Sequence, residues 1–195
     1  MVAKQKGLVG LLATDDTAYY LEKVLSHLSR AIYPLINEEI DLFVCFRSQD
    51  KKAQKELLLN TPVNIHETFT LEINYDLVLQ WGRLSMPPNI VCQQRNVIRE
   101  FAIENTYDWI FYLDMAVCLN TNTLQKLLKT KKDIIGVPYR ADPWHNPCVF
   151  FHDENNLLHV MINPNKVITD IEAYPCAGFE FGATLMRHSL FYYPF

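Results

Sequence analysis

Residues 109–114, WIFYLD, run through five apolar or aromatic side chains and end on a carboxylate. Each of Trp109, Ile110, Phe111, Tyr112 and Leu113 gains on the order of 1.5–3 kcal/mol from burial, so the segment belongs in the middle of a sheet. Asp114 cannot share that burial, because a lone desolvated carboxylate is very costly, and it is expected just beyond the strand's C-terminal end. In open α/β sheets that edge is where ligands bind. A plainer role competes, since a carboxylate here also suits a turn or a helix cap; Asp108, at the opposite end, reads as a solvated turn residue. Upstream, Arg95 offers a planar fork of donors that fits phosphate oxygens, against the alternative of a salt bridge to a Glu on its own helix. Trp144, within YRADPWHNP, is of the kind that stacks on sugar rings, or it is a covering Trp held between prolines. Glu180, within GFEFG, is either a general base or a polar residue on the outer face of a strand.

Composition narrows the field. The chain has 195 residues, 49% of them hydrophobic and 12% aromatic, enough to bury a real core and too apolar for disorder. A net charge of −4 with scattered Lys and Arg argues against a nucleic-acid surface, leaving small molecules as partners. Five cysteines without any CxxC pair suggest neither disulfides nor a zinc ribbon, and they read as buried thiols in a reducing, cytoplasmic setting. No apolar stretch approaches the roughly 18 residues that cross a bilayer, and the run over 7–13 reads as a first strand rather than a signal peptide. With only six glycines, a Gly-rich phosphate loop has no place, and no GxSxG, GxxxxGK[ST], HExxH or GxGxxG occurs.

Alternating strand and helix signals supply the scaffold. The continuous apolar run over 7–13 suits a strand covered on both faces. Leu21, Val24, Leu25, Leu28 and Ile32 recur at spacings of three and four and predict a helix capped by Thr14, Asp15 or Asp16. Residues 40–46 predict a second strand, 49–59 a polar helix and 60–71 short β-like pieces, while Pro87-Pro88 breaks whatever precedes it. An amphipathic helix is expected over 91–103 with Val97, Ile98, Phe101 and Ala102 inward. After the central strand come a helix with Leu124, Leu127 and Leu128 inward and a strand over 133–137. Beyond Pro138, residues 149–151, 157–162, 167–173 and 179–185 are short β-like runs, antiparallel pieces added to a parallel sheet. The expected fold class is α/β, a mixed, mainly parallel central sheet flanked by helices with short antiparallel strands in the C-terminal third. Neither repeat nor linker divides it, so residues 1–195 read as a single domain.

Residues 93–117, QQRNVIREFAIENTYDWIFYLDMAV, resemble the nucleotide-sugar glycosyltransferases of the GT-A fold, which is Rossmann-like, and particularly the family two group. Those enzymes carry an Arg-Asn pair at the start of a helix, here Arg95-Asn96, then a polar turn, an apolar strand and a metal-binding Asp-x-Asp, here Asp114-Met115-Ala116. DIIGVPYR (133–140) is similar to the strand that follows the motif helix, AGFEFGATLMRHSLF (177–191) to the acceptor-side segment, and the opening strand ending at Thr14 to the first nucleotide-binding loop. The resemblance implies transfer of a sugar from a nucleoside diphosphate sugar to an acceptor hydroxyl. It implies Asp114 as ligand to Mn²⁺ or Mg²⁺, which neutralises the leaving diphosphate. Asp114 and Glu180 become the catalytic pair. Thr14, Arg47, Arg95 and Asn96 become nucleotide-binding, with capping of the helix as the other role for Asn96, and Trp144 and Gly182 become substrate-binding. Three departures bear on this. Ala116 has no ligating atom, leaving one carboxylate with phosphates and waters, a set that Mg²⁺ accepts. Arg47 stands where the family usually has an acid that meets the base or ribose. The sequence closes on LFYYPF before the acidic motif that supplies the base in inverting relatives. A shortened relative is one reading, and a non-catalytic nucleotide-sugar-binding or assembly module is the alternative. The aromatic end can pack on the body or on a partner copy.

Overall fold

The computed structural model describes residues 4–13, 20–35, 38–46, 57, 59, 61–62, 65–72, 87–115, 117–137, 149–152, 158–160, 178–179 and 181–195. Strand β1 (Lys6–Ala13) pairs in parallel with β2 (Glu39–Phe46) on one side and with β4 (Trp109–Asp114) on the other. Strand β3 (Thr68–Glu72) continues the parallel run beyond β2. Past β4 the direction reverses: β9 (Ala183–Arg187) lies antiparallel to β4 and to β5 (Ile134–Gly136), giving the order β3-β2-β1-β4-β9-β5. The strands β6 (Val149–His152), β7 (Leu158–Val160) and β8 (Gly178–Phe179) form a separate antiparallel sheet. The sheet is thus mixed and mainly parallel, as expected. The short late strands are not all appended at its rim, because β9 inserts between β4 and β5.

Both faces of the central strands are covered, which is why their sequences are apolar throughout. Val9, Leu11, Ala13, Trp109, Phe111 and Leu113 form one cluster with helices α1 (Leu21–Ile32) and α3 (Thr123–Lys129). The alternate residues Leu8, Leu12, Ile110 and Tyr112 form another with α2 (Pro87–Glu104) and with Phe191 of the C-terminal segment. Gln94, Ile98 and Ala102, spaced four apart on α2, are its buried seam. Gly10 lets α2 approach, since a Cβ there would stand 2.7 Å from Ile98 Cγ2.

Several local expectations are corrected. Helix α1 opens at Leu21 with Tyr20 in the cap position and no capping bond from its side chain to the helix, while Thr14, Asp15 and Asp16 lie outside the described residues. Pro87 and Pro88 open α2 instead of separating it from what precedes, because first-turn N–H groups need no helical partner. Asp114 is the last residue of β4, in register with Leu12, rather than beyond it. Asp108 is more than a solvated turn residue: its carboxylate accepts the Lys6 N–H at 2.7 Å and joins the starts of β4 and β1. Of the thiols, Cys45 is buried but Cys92 is half-buried and Cys118 exposed; Cys148 and Cys176 lie outside the described residues. Leu57 and Leu59 are helical, and 167–173 is outside the described residues.

One buried carboxylate was not foreseen. Asp41 in β2 accepts the Tyr107 hydroxyl at 2.5 Å and the Glu67 N–H at 3.0 Å, with His66 Nδ1 at 3.2 Å. Burial, then the Asp41 contact, pushes the Tyr107 phenol up. Burial likewise raises Tyr112 and pushes the Cys45 thiol up to about 12. All three folded-state values are raised, so the native chain holds protons that the unfolded chain releases near pH 8.5 for Cys and 10 for Tyr. Stability is therefore expected to be full below those values and to fall as pH rises from about 8.5 toward 12, by at most about 1.4 kcal/mol per pH unit per group. Urea midpoints measured from pH 7 to 11 check this, and a flat profile contradicts it.

Candidate functional site

Side chains alternate along a strand, so Asp114 shares its face with Ile110 and Tyr112, the face that α2 covers. That places its carboxylate under the flank of α2. Arg95 Nη2 stands 3.5 Å from Asp114 Oδ1, with the two side chains 12% and 34% exposed. The carboxylate is thus neither sealed in the core nor remote from the guanidinium. Its backbone is fixed: the Asp114 N–H donates to the Gly182 carbonyl at 2.8 Å, and its carbonyl accepts the Val117 N–H at 3.0 Å.

Arg95 sits in an aromatic setting. Its guanidinium carbon lies 5.3 Å from the Phe181 ring centre and 5.9 Å from that of Phe195, distances at which ring faces attract a cation. Phe181, Phe195 and Tyr112 pack edge to face. The Tyr112 hydroxyl donates to the Arg95 carbonyl at 3.3 Å. Asn96 faces the same segment, donating from Nδ2 to the Phe195 carbonyl at 3.3 Å and accepting the Phe195 N–H at 2.9 Å. Immediately before Arg95 in the helix, Gln94 Nε2 donates to the carbonyls of Ala13 (3.3 Å) and Cys45 (3.1 Å), joining the C-terminal ends of β1 and β2.

Among the sequence candidates, Arg95, Asp114 and Gly182 come together, with Gly182 acting through its carbonyl on the Asp114 backbone. The Arg-Asn pair lies about two turns inside α2 and not at its start, so Asn96 is no cap. Arg95 does not pair with a Glu of its own helix; Arg99 is the residue that approaches one, Glu100, at 3.7 Å. Thr14, Arg47, Ala116, Trp144 and Glu180 lie outside the described residues. Gln94, Tyr112, Phe181 and Phe195 were missed. Gln94 had a signal, because it holds an otherwise apolar position of the seam, and a buried amide there must find carbonyls.

The aromatic end is divided: Phe191 is buried and Phe195 half-buried against the body, while Tyr192 and Tyr193 are exposed. Among the described residues no three His, Cys, Asp or Glu side chains are grouped to hold a metal ion, and no helix is long and apolar enough to cross a membrane. A shallow hollow of about 380 Å³ lies between α2 and β3, lined by Phe43, Phe69, Phe101 and Glu100 among others, and neither Arg95 nor Asp114 borders it.

No protein-family model matches the sequence, and no curated protein matches it. Solved structures do. The apo form of mouse xyloside xylosyltransferase 1 is similar over 95% of this chain and 67% of its own, at 13% identity and a TM-score of 0.50. The galactosyltransferase LgtC, in complex with donor and acceptor sugar analogs, matches 68% of this chain at 17% identity and a TM-score of 0.48. A 4-diphosphocytidyl-2C-methyl-D-erythritol synthase matches 96% of this chain and 77% of its own at 15% identity and 0.49. The chain spans only 46% of the galactosyltransferase. At such identities the likeness speaks to fold alone, and with the sheet order and the reversed β9 it gives the chain a GT-A-type α/β fold.

Proposed function

We propose that the chain transfers a sugar from a nucleoside diphosphate sugar to an acceptor hydroxyl, as a family two-like glycosyltransferase assisted by Mn²⁺ or Mg²⁺. The observation that carries this reading is the Asp114 carboxylate, one-third exposed at the C-terminal end of the central strand and 3.5 Å from a guanidinium. A hard carboxylate oxygen suits these cations. With one such group in hand, the ion would be held jointly by Asp114, the donor's phosphates and water. Bound there, the cation would act as a Lewis acid on the leaving diphosphate. Arg95 would exchange its contact with Asp114 for the phosphate oxygens, while Phe181 and Phe195 keep its plane oriented. Glu180, Thr14, Arg47 and Trp144 keep the roles that the resemblance implies.

The second reading, a module that binds nucleotide sugars without turnover, draws on the same contact, since Arg95 already neutralises the one carboxylate that a cation would use. Thermal stabilisation tests both. UDP or GDP is expected to raise Tm, and Mn²⁺ to enlarge the rise, because ligands that bind only the native state stabilise it. Donor turnover with metal supports the enzyme, and tight binding without turnover supports the module. No shift with any nucleotide removes both.

A further inference from the structure

Helix α2 carries a second guanidinium one turn beyond Arg95. Arg95 and Arg99 are four residues apart and therefore neighbours on one helix face, where like charges repel. Arg99 is 9% exposed. Among the described residues the acid that pairs with it, Glu100, has its side chain 63% exposed, and the 3.7 Å separation is too long for a hydrogen bond. Nε and Nη1 of Arg99, together with Nε of Arg95, are buried with no hydrogen-bond partner among the described residues. The rings of Phe181 and Phe195 lie against Arg95, yet they leave that Nε donor unpaired.

Buried donors on a cation are expensive to leave unmade, and two such cations side by side compound the penalty. An oxyanion removes both problems, since its oxygens accept from several N–H groups at once and its charge offsets the repulsion. Asp114 approaches Arg95 through Nη2, not through the buried Nε. We propose that Arg95 and Arg99 form an oxyanion pocket that takes a phosphate-like group. It rests on the unpaired donors and does not require the glycosyl-transfer reading. The group has two sources, the terminal phosphate of a nucleotide donor or an anionic substituent on a different ligand such as the acceptor.

Inorganic phosphate is the probe, titrated against chloride at equal ionic strength so that general screening cancels. At about a hundred times its Kd, phosphate is expected to raise Tm by about 5–10 °C. Arg99→Met should weaken phosphate binding about 10- to 100-fold, as expected for loss of hydrogen bonds from a charged group. In phosphate-free buffer the same variant should melt above the wild type, because an unpaired buried charge has gone. If Arg99→Met does not fold, Arg99→Lys keeps the charge without the fork and should bind phosphate more weakly. UDP then separates the sources. A variant that loses the phosphate response and keeps the UDP response assigns the pocket to a ligand other than the donor, and loss of both assigns it to the donor's phosphate. Absence of a phosphate response in the wild type, or an undiminished one in the Arg99 variants, overturns the proposal whatever nucleotides do.

Discussion

Gly7→Ala is expected to destabilise the protein by about 3 kcal/mol, near the upper end of what overpacking costs, lowering Tm by about 6–12 °C for a chain of this size. Gly7 stands in register with Trp109 across the β1–β4 pairing, on the face that α1 and α3 cover. A Cβ at position 7 would lie 1.9 Å from the indole Cζ2 and 2.2 Å from Cε2 and Cη2. Real Cβ contacts do not come that close, so either the indole or β1 must shift. The indole is fully buried in the main core cluster, where close packing leaves little room for a flat ring to turn. Gly10→Ala is the internal comparison: its Cβ would meet Ile98 Cγ2 at 2.7 Å, a milder clash, so the loss should be smaller. Thermal unfolding of the two variants decides, and a Gly7→Ala drop below about 2 °C would mean that the ring has an alternative seat. A smaller residue at position 109 should recover part of the loss in the Gly7→Ala background, because the two positions share one space.

The same double coverage governs what could be read in advance. Strands β1, β2 and β4 were legible because positions covered on both faces are nearly all apolar, buried Asp41 of β2 being an exception, and that leaves long apolar runs. The cost of such a run is that it hides which face each residue takes. Nothing in WIFYLD says whether Asp114 looks toward α1 or α2. The cluster that Ile110 and Tyr112 join, and the placement of Arg95 across from Asp114, show the answer. Periodicity locates helix α2 but not its start, because Pro87-Pro88 reads as a break, whereas the first turn of a helix tolerates proline. The insertion of β9 between β4 and β5 leaves no local mark, since pairing partners so distant in sequence are chosen by the edge left open once β1 and β4 have joined. The Asn96 contacts with Phe195 are of the same kind, as is the burial of Asp41, whose partners His66, Glu67 and Tyr107 come from later in the chain. Arg99 had the clearest unread signal: a second Arg four residues after the first, next to a seam of Gln94, Ile98 and Ala102, must lie against the sheet's flank.

Asp114→Asn separates folding from chemistry at the proposed site. The amide has the shape of the carboxylate, and the backbone bond to Gly182 does not involve the side chain, so the fold should remain. The ion pair that is lost is long, at 3.5 Å, and its carboxylate is one-third exposed, so stability should change by less than about 1 kcal/mol. Metal affinity should suffer far more, because a neutral amide oxygen replaces the one protein carboxylate proposed to meet the cation. On the proposed reading a dication would have to displace Arg95 from Asp114, an exchange expected to be unfavourable for the ion alone and favourable once a diphosphate can accept Arg95 in return. Metal and nucleotide should therefore bind cooperatively, each strengthening the other by the same factor, as linkage requires. In Asp114→Asn that cooperativity should vanish, with nucleotide affinity made independent of Mn²⁺ and any transfer rate lowered by about 100-fold or more. Nucleotide titrations with and without Mn²⁺, followed by calorimetry, measure the coupling factor directly. Coupling that persists in the variant would place the cation on other ligands, and coupling absent from the wild type would favour the module that binds without turnover.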